Sequence, residues 1–172
     1  ELMEQVLGKN GAEIWRRANG IDNTPVEPYW ERKSISTEKT LENDTTNVKM
    51  MKTMIAGMIE KLCFELRSKQ KLTSCVTIKL RYANFDTHTL QKRIPYTSFD
   101  HTLAPVAREL FDRLYNRRIL VRLLGVRFTH LVQGTQQLNL FEDTPEMVNL
   151  YKTIDLLKRR FGKKAVVKAV NI

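Results

Sequence analysis

Residues 75–82 read Cys75-Val76-Thr77-Ile78-Lys79-Leu80-Arg81-Tyr82. Apolar and polar residues alternate along this stretch, the period of a strand whose successive side chains point to opposite faces of a sheet. Val76, Ile78, Leu80 and Tyr82 fall on one face, and Thr77, Lys79 and Arg81 on the other. The first face needs an apolar cover. The second is polar and cationic and needs none. Asn84-Phe85-Asp86 then turns the chain into a second strand over residues 87–96, which predicts a hairpin.

Working outward, an amphipathic helix is expected on each side of the hairpin. Over 47–67, Met51, Ile55, Met58, Leu62 and Leu66 share a stripe, with Met54 and Ile59 beside it and Asn47 or Thr46 available as cap. Over 100–116, Leu103, Val106, Leu110 and Leu114 point inward, with Asp100 or Ser98 as cap and Pro105 near the first turns. A Ser/Thr-rich stretch at 34–42 supplies a first strand and residues 119–131 a last one. The order strand, helix, strand, strand, helix, strand predicts an α+β, ferredoxin-like split β-α-β fold: a four-stranded sheet with both helices on one face.

The other face of that sheet is then open. By parity it carries Thr77, Lys79 and Arg81 from one strand, Gln91 and Arg93 from the next, and Arg127 and Thr129 from the last. Gly125 shares the face, where a missing side chain lets a ligand approach the backbone. A basic, hydroxyl-rich face with no aromatic in register suits a phosphate backbone better than stacked bases.

The flanks are simpler. Residues 1–20 read as two short helices separated by a turn at Gly8-Lys9-Asn10-Gly11, ending at Gly20. Residues 21–33, with Pro25 and Pro28, read as a linker. Residues 133–144 are polar but hold Leu138, Leu140 and Phe141, apolar anchors for a partner's pocket, with glutamine to supply directional hydrogen bonds. Thr144-Pro145-Glu146 opens a helix with a stripe of Met147, Tyr151, Ile154, Leu157 and Phe161, stopped by Gly162 and followed by a basic tail to 172.

Composition bounds the function. The chain has 172 residues, 29 Lys and Arg against 19 Asp and Glu, and a net charge of +10. The excess is local: residues 1–31 hold three basic and six acidic groups, whereas residues 70–132 hold eleven and four. Such a balance favours a polyanion as partner. At 42% hydrophobic the chain is too apolar for disorder throughout, and no apolar run is long enough to span a membrane. It starts at Glu1 with no secretory leader, as expected for a cytoplasmic piece of a longer protein. Cys63 and Cys75 are too few for a disulfide framework or a zinc site, and His88, His101 and His130 are scattered. No Gly-rich phosphate loop, nucleophile elbow or HExxH motif is present. Catalytic residues, metal ligands and a small-molecule substrate are therefore not expected within these residues. An autonomous enzyme is disfavoured, and a free-standing ferredoxin-like nucleic-acid-binding module is the alternative reading.

Several stretches together resemble the little-finger domain of Y-family translesion DNA polymerases of the bacterial DNA polymerase IV type. They are Lys33-Ser34-Ile35-Ser36-Thr37-Glu38-Lys39-Thr40-Leu41, Lys79-Leu80-Arg81-Tyr82 with Phe85, and Val121-Arg122-Leu123-Leu124-Gly125-Val126-Arg127. Gly8 to Asp22, followed by Pro25-Val26, resembles the end of that family's thumb. Gln137-Leu138-Asn139-Leu140-Phe141 is similar to a bacterial sliding-clamp-binding peptide, and Arg159-Arg160-Phe161-Gly162-Lys163 to a tail that follows it. The resemblance implies a thumb remnant at 1–20, a linker at 21–33, the little finger at 34–132, a clamp-binding linker at 133–144 and a helical tail at 145–172. It implies that the parent chain is a DNA polymerase using Mg²⁺, with its active site outside these residues. It also implies that the little finger grips primer-template duplex through phosphates, with Arg127 as the leading contact and Arg81, Lys79, Arg93 and Arg122 next. Thr77, Gln91, Thr129 and Ser36 would add hydrogen bonds, and Gln137, Leu138, Leu140 and Phe141 would dock on the clamp. Where members often carry a further basic residue, this chain has Leu90. Gly8 and Gly11 would either present helix N–H groups to a phosphate or serve interdomain packing.

Overall fold

The computed structural model describes residues 2–28, 31–115, 118–134 and 145–167. The chain divides into two units, residues 1–31 and 32–172.

In the first unit, helices α1 (Leu2–Leu7) and α2 (Lys9–Ala18) meet at Gly8, whose φ of 60° turns the chain. Gly11 lets them cross closely: a Cβ there would lie 2.0 Å from the Met3 carbonyl oxygen. Gly20, at φ 75°, follows the end of α2.

The second unit contains β1 (Ser34–Thr45), α3 (Val48–Ser68), β2 (Lys71–Tyr82), β3 (Thr87–Thr97), α4 (Asp100–Leu114), β4 (Val121–Thr129), β5 (Val132–Gln133) and α5 (Pro145–Phe161). The strands pair antiparallel in the order β1-β4-β2-β3, so β4 splits the β1-α3-β2 unit and β2 splits β3-α4-β4. The last strand read at 119–131 is divided. His130, at φ 53°, interrupts it, and β5 resumes pairing with β2 in the register that β4 had kept.

Both α3 and α4 cover one face. Met51, Ile55, Met58, Ile59, Leu62 and Leu66 of α3, with Leu103, Ala107, Leu110 and Phe111 of α4, close over Val76, Ile78, Leu80 and Tyr82 of β2 and Val121, Leu124, Val126 and Phe128 of β4. A fully buried Leu, Ile or Phe contributes about 2 kcal/mol through the hydrophobic effect, and this is what seats the sheet on its helices. The Asn47 side chain caps α3, accepting from the Met50 N–H at 3.0 Å. Neither Ser98 nor Asp100 caps α4. Phe99 holds the N-cap position, and Asp100 instead accepts from Arg67 Nη1 at 2.7 Å.

Helix α5 departs from the expected apolar stripe. Its buried residues are Tyr151, Asp155 and Lys158, while Phe161 is exposed. Arg67 of α3 donates twice to Asp155, at 2.7 and 3.0 Å, and lies 4.8 Å from the centroid of the Tyr151 ring. Lys158 pairs with Glu60. Tyr151 stacks on Phe99 and His101. Burial alone would lower the Arg67 guanidinium, but its bonds to Asp155 and Asp100 win and hold its pKa above the usual arginine range.

Candidate nucleic-acid interface

Strand pairing carries the open face from one strand to the next, because residues directly opposite share a face. Four rows cross the sheet. The first is Ser36, Arg127, Thr77 and Gln91, and the second is Glu38, Gly125, Lys79 and Thr89. The third is Thr40, Leu123, Arg81 and Thr87, and the fourth is Ser34, Thr129, Cys75 and Arg93. Every residue that alternation assigns to this face stands in one of these rows, and so does Ser36.

The cations differ in how free they are. Arg127 is exposed, and its Nη2 donates to Ser34 Oγ at 3.1 Å. Arg81 Nε donates to Thr87 Oγ1 at 2.9 Å. Arg93 Nη2 lies 3.3 Å from His130 Nε2, and the His130 Nδ1 is 3.2 Å from Thr129 Oγ1. Among the described residues, none of these three arginines forms an ion pair. They keep their full charge for an external anion.

Lys79 does not. Its Nζ lies 3.0 Å from both carboxylate oxygens of Glu38, two strands away. The pair closes over Gly125, where a Cβ would stand 2.9 Å from Glu38 Cγ and 3.4 Å from Lys79 Cβ. The glycine was expected to let a ligand approach the backbone. Its space is instead taken by the protein's own ion pair. Glu38 is the site residue that sequence reading missed, although it lies two positions beyond Ser36 and so shares its face.

Arg122 lies off the rows. Val121 and Leu124 are both in the core, and the register shifts between Arg81 and Tyr82, so a bulge turns Arg122 away from the helices. Its guanidinium sits 4.9 Å from the centroid of the Phe85 ring and 3.9 Å from Asp44. Leu90 stands opposite Ile78 and packs against the core, so position 90 serves the helix side and not the open face. Gly11 serves the crossing of α1 and α2, and its N–H donates to the Gly8 carbonyl at 2.9 Å. Gln137, Leu138, Leu140 and Phe141 lie outside the described residues. Among the described residues, no group of three or more His, Cys, Asp or Glu is placed to hold a metal ion, and no helix is long and apolar enough to cross a membrane.

Residues 32–140 match the impB/mucB/samB family C-terminal domain. The chain is 28% identical to a DNA polymerase IV of Clostridium acetobutylicum, over 98% of its own length and 44% of the relative's. It is 32% identical to a DNA polymerase IV of Dehalococcoides mccartyi, over 96% of its length and 43% of the relative's. It thus spans less than half the length of these curated relatives. Among solved structures, a Y-family DNA polymerase chimera of Dbh and Dpo4 superposes with a TM-score of 0.54 at 20% identity, covering 76% of this chain and 38% of that one. A post-insertion binary complex of Dbh DNA polymerase gives 0.53 at 19%, covering 78% and 39%. The sheet order, the helices on one face and the family match over most of the second unit agree: the chain belongs to the impB/mucB/samB family and carries that family's C-terminal domain.

Proposed function

We propose that the open face of the sheet holds primer-template duplex DNA through its phosphates, as the DNA-gripping part of a translesion polymerase. The observation that carries this reading is the row Ser36-Arg127-Thr77-Gln91, which crosses four strands with an unpaired arginine and no acid. Phosphate contacts position a duplex without reading its sequence, which suits an enzyme that copies damaged templates. Arg81 and Arg93 extend the cationic surface on either side of that row.

In this reading Gln137, Leu138, Leu140 and Phe141 dock on the bacterial sliding clamp in the cytoplasm. Tethering there raises the effective concentration of enzyme at the primer terminus. Nucleotidyl transfer, with the Mg²⁺ that drives it, belongs to other parts of the parent polymerase, so these residues alone are inactive. Two binding assays test the proposal. With about five phosphates engaged, log K for duplex falls with log salt at a slope of roughly −4 to −5; a flat response removes the face from the account. Purified clamp is retained by this chain and lost on deletion of residues 137–141; equal retention removes the peptide.

A further inference from the structure

Phe85 forms the tip of the β2–β3 hairpin at φ 68°. A bulky residue in the left-handed region is a costly outlier. Phe85 is 63% exposed, so burial does not offset that cost. The turn beneath it is fixed: Phe85 N–H donates to the Tyr82 carbonyl at 2.9 Å and Tyr82 N–H to the Asp86 carbonyl at 3.0 Å. Asn84 Nδ2 donates to Asp86 Oδ2 at 2.6 Å, and Asp86 N–H donates back to Asn84 Oδ1 at 3.1 Å. The ring therefore stands on a rigid pedestal, braced by Arg122 4.9 Å from its centroid. The turn is also tied to the open face, because the Thr87 hydroxyl that accepts from Arg81 donates to the Phe85 carbonyl at 3.4 Å.

We infer that Phe85, backed by Arg122, is a stacking platform for an unpaired base of single-stranded DNA at the edge of the duplex held by the open face. The inference rests on that reading of the face. An aromatic ring stacks on any base, and an arginine on the ring adds a cation–π term, so the platform is indifferent to sequence. Asp86 is engaged by Asn84 and Asp44 by Arg122, while Arg81 makes no ion pair among the described residues. The cationic neighbour favours a polyanionic strand over an apolar protein partner.

The test uses the 172-residue chain with two probes, a blunt duplex and the same duplex extended by a short single-stranded template overhang carrying 2-aminopurine. Phe85→Gly removes the ring and suits the positive φ, so the turn survives; Phe85→Trp keeps a platform. The wild-type chain binds the overhang probe more tightly than the blunt one and quenches 2-aminopurine. Phe85→Gly abolishes the quench and lowers affinity for the overhang probe about tenfold, leaving blunt-duplex affinity unchanged, and Phe85→Trp restores both. Equal loss on the two probes, or no loss on either, overturns the platform. In the second case, a salt-dependent blunt duplex affinity that falls in Arg127→Ala leaves the open face standing. Binding of neither probe by wild type overturns both.

Discussion

Lys79 reaches across β4 to Glu38 because position 125 has no side chain to stand between them. A half-exposed ion pair of this kind is worth under about 1 kcal/mol, so a phosphate can compete with it. Glu38→Gln frees the ammonium. The variant is expected to bind duplex about threefold more tightly and to steepen the slope of log K against log salt by about 0.9, one further phosphate. A fluorescence titration at several salt concentrations checks this; an unchanged slope would show that Lys79 stays off the DNA. Alternation in residues 75–82 was enough to place Lys79 and Arg81 on the open face. It could not show that the two differ, because charge pairing depends on which residues lie opposite, and register is not written in one strand. Arg127 keeps its charge since Ser34 and Ser36, not acids, stand near it on β1.

At the scale of elements, α3, α4 and the central strands were legible because burial imposes a period on apolar residues. Helix α5 and Tyr151 of its stripe stand where the pattern put them, but its other two buried residues, Asp155 and Lys158, are ionic and fell outside the stripe. Its charge pairs are invisible to a pattern that counts apolar residues, and its Phe161 points to solvent. Removing one partner from a buried cluster leaves the others uncompensated. Arg67→Ala removes the guanidinium that both Asp100 and Asp155 accept from in the buried cluster, and is expected to cost about 3 kcal/mol in urea denaturation; a loss near zero would mean that α5 is not held there. Tyr151 gives a pH signature. Burial, then the charge of Asp100, pushes its phenol up to about 12 from an ordinary value of 10.0. Between those values the unfolded chain has released the proton and the folded chain still holds it, so stability falls as pH rises. Tyr151→Phe lacks this component. Its stability curve should run parallel to wild type below pH 10 and decline less steeply above it, as read by denaturation across that range. Parallel curves throughout would place Tyr151 in solvent.

Over the whole molecule, the succession of elements determined the fold, because a split β-α-β arrangement is the short-looped way to seat two helices on one face of four strands. Sequence did not reveal the break at His130, since the residues on both sides continue the strand pattern, nor the left-handed backbone of Phe85, which a turn conceals from any periodicity. Those are local backbone choices made by φ at single residues. In the proposed function, duplex DNA lies on the side of the sheet away from α3 and α4. Backbone amide NMR of the chain titrated with a duplex tests it most directly. The shifts that move are expected to cluster at Ser36, Thr77, Gln91, Arg127 and Thr129, with α3 and α4 silent. Perturbations concentrated on those helices, with the Ser36-Arg127-Thr77-Gln91 row unmoved, would contradict the account.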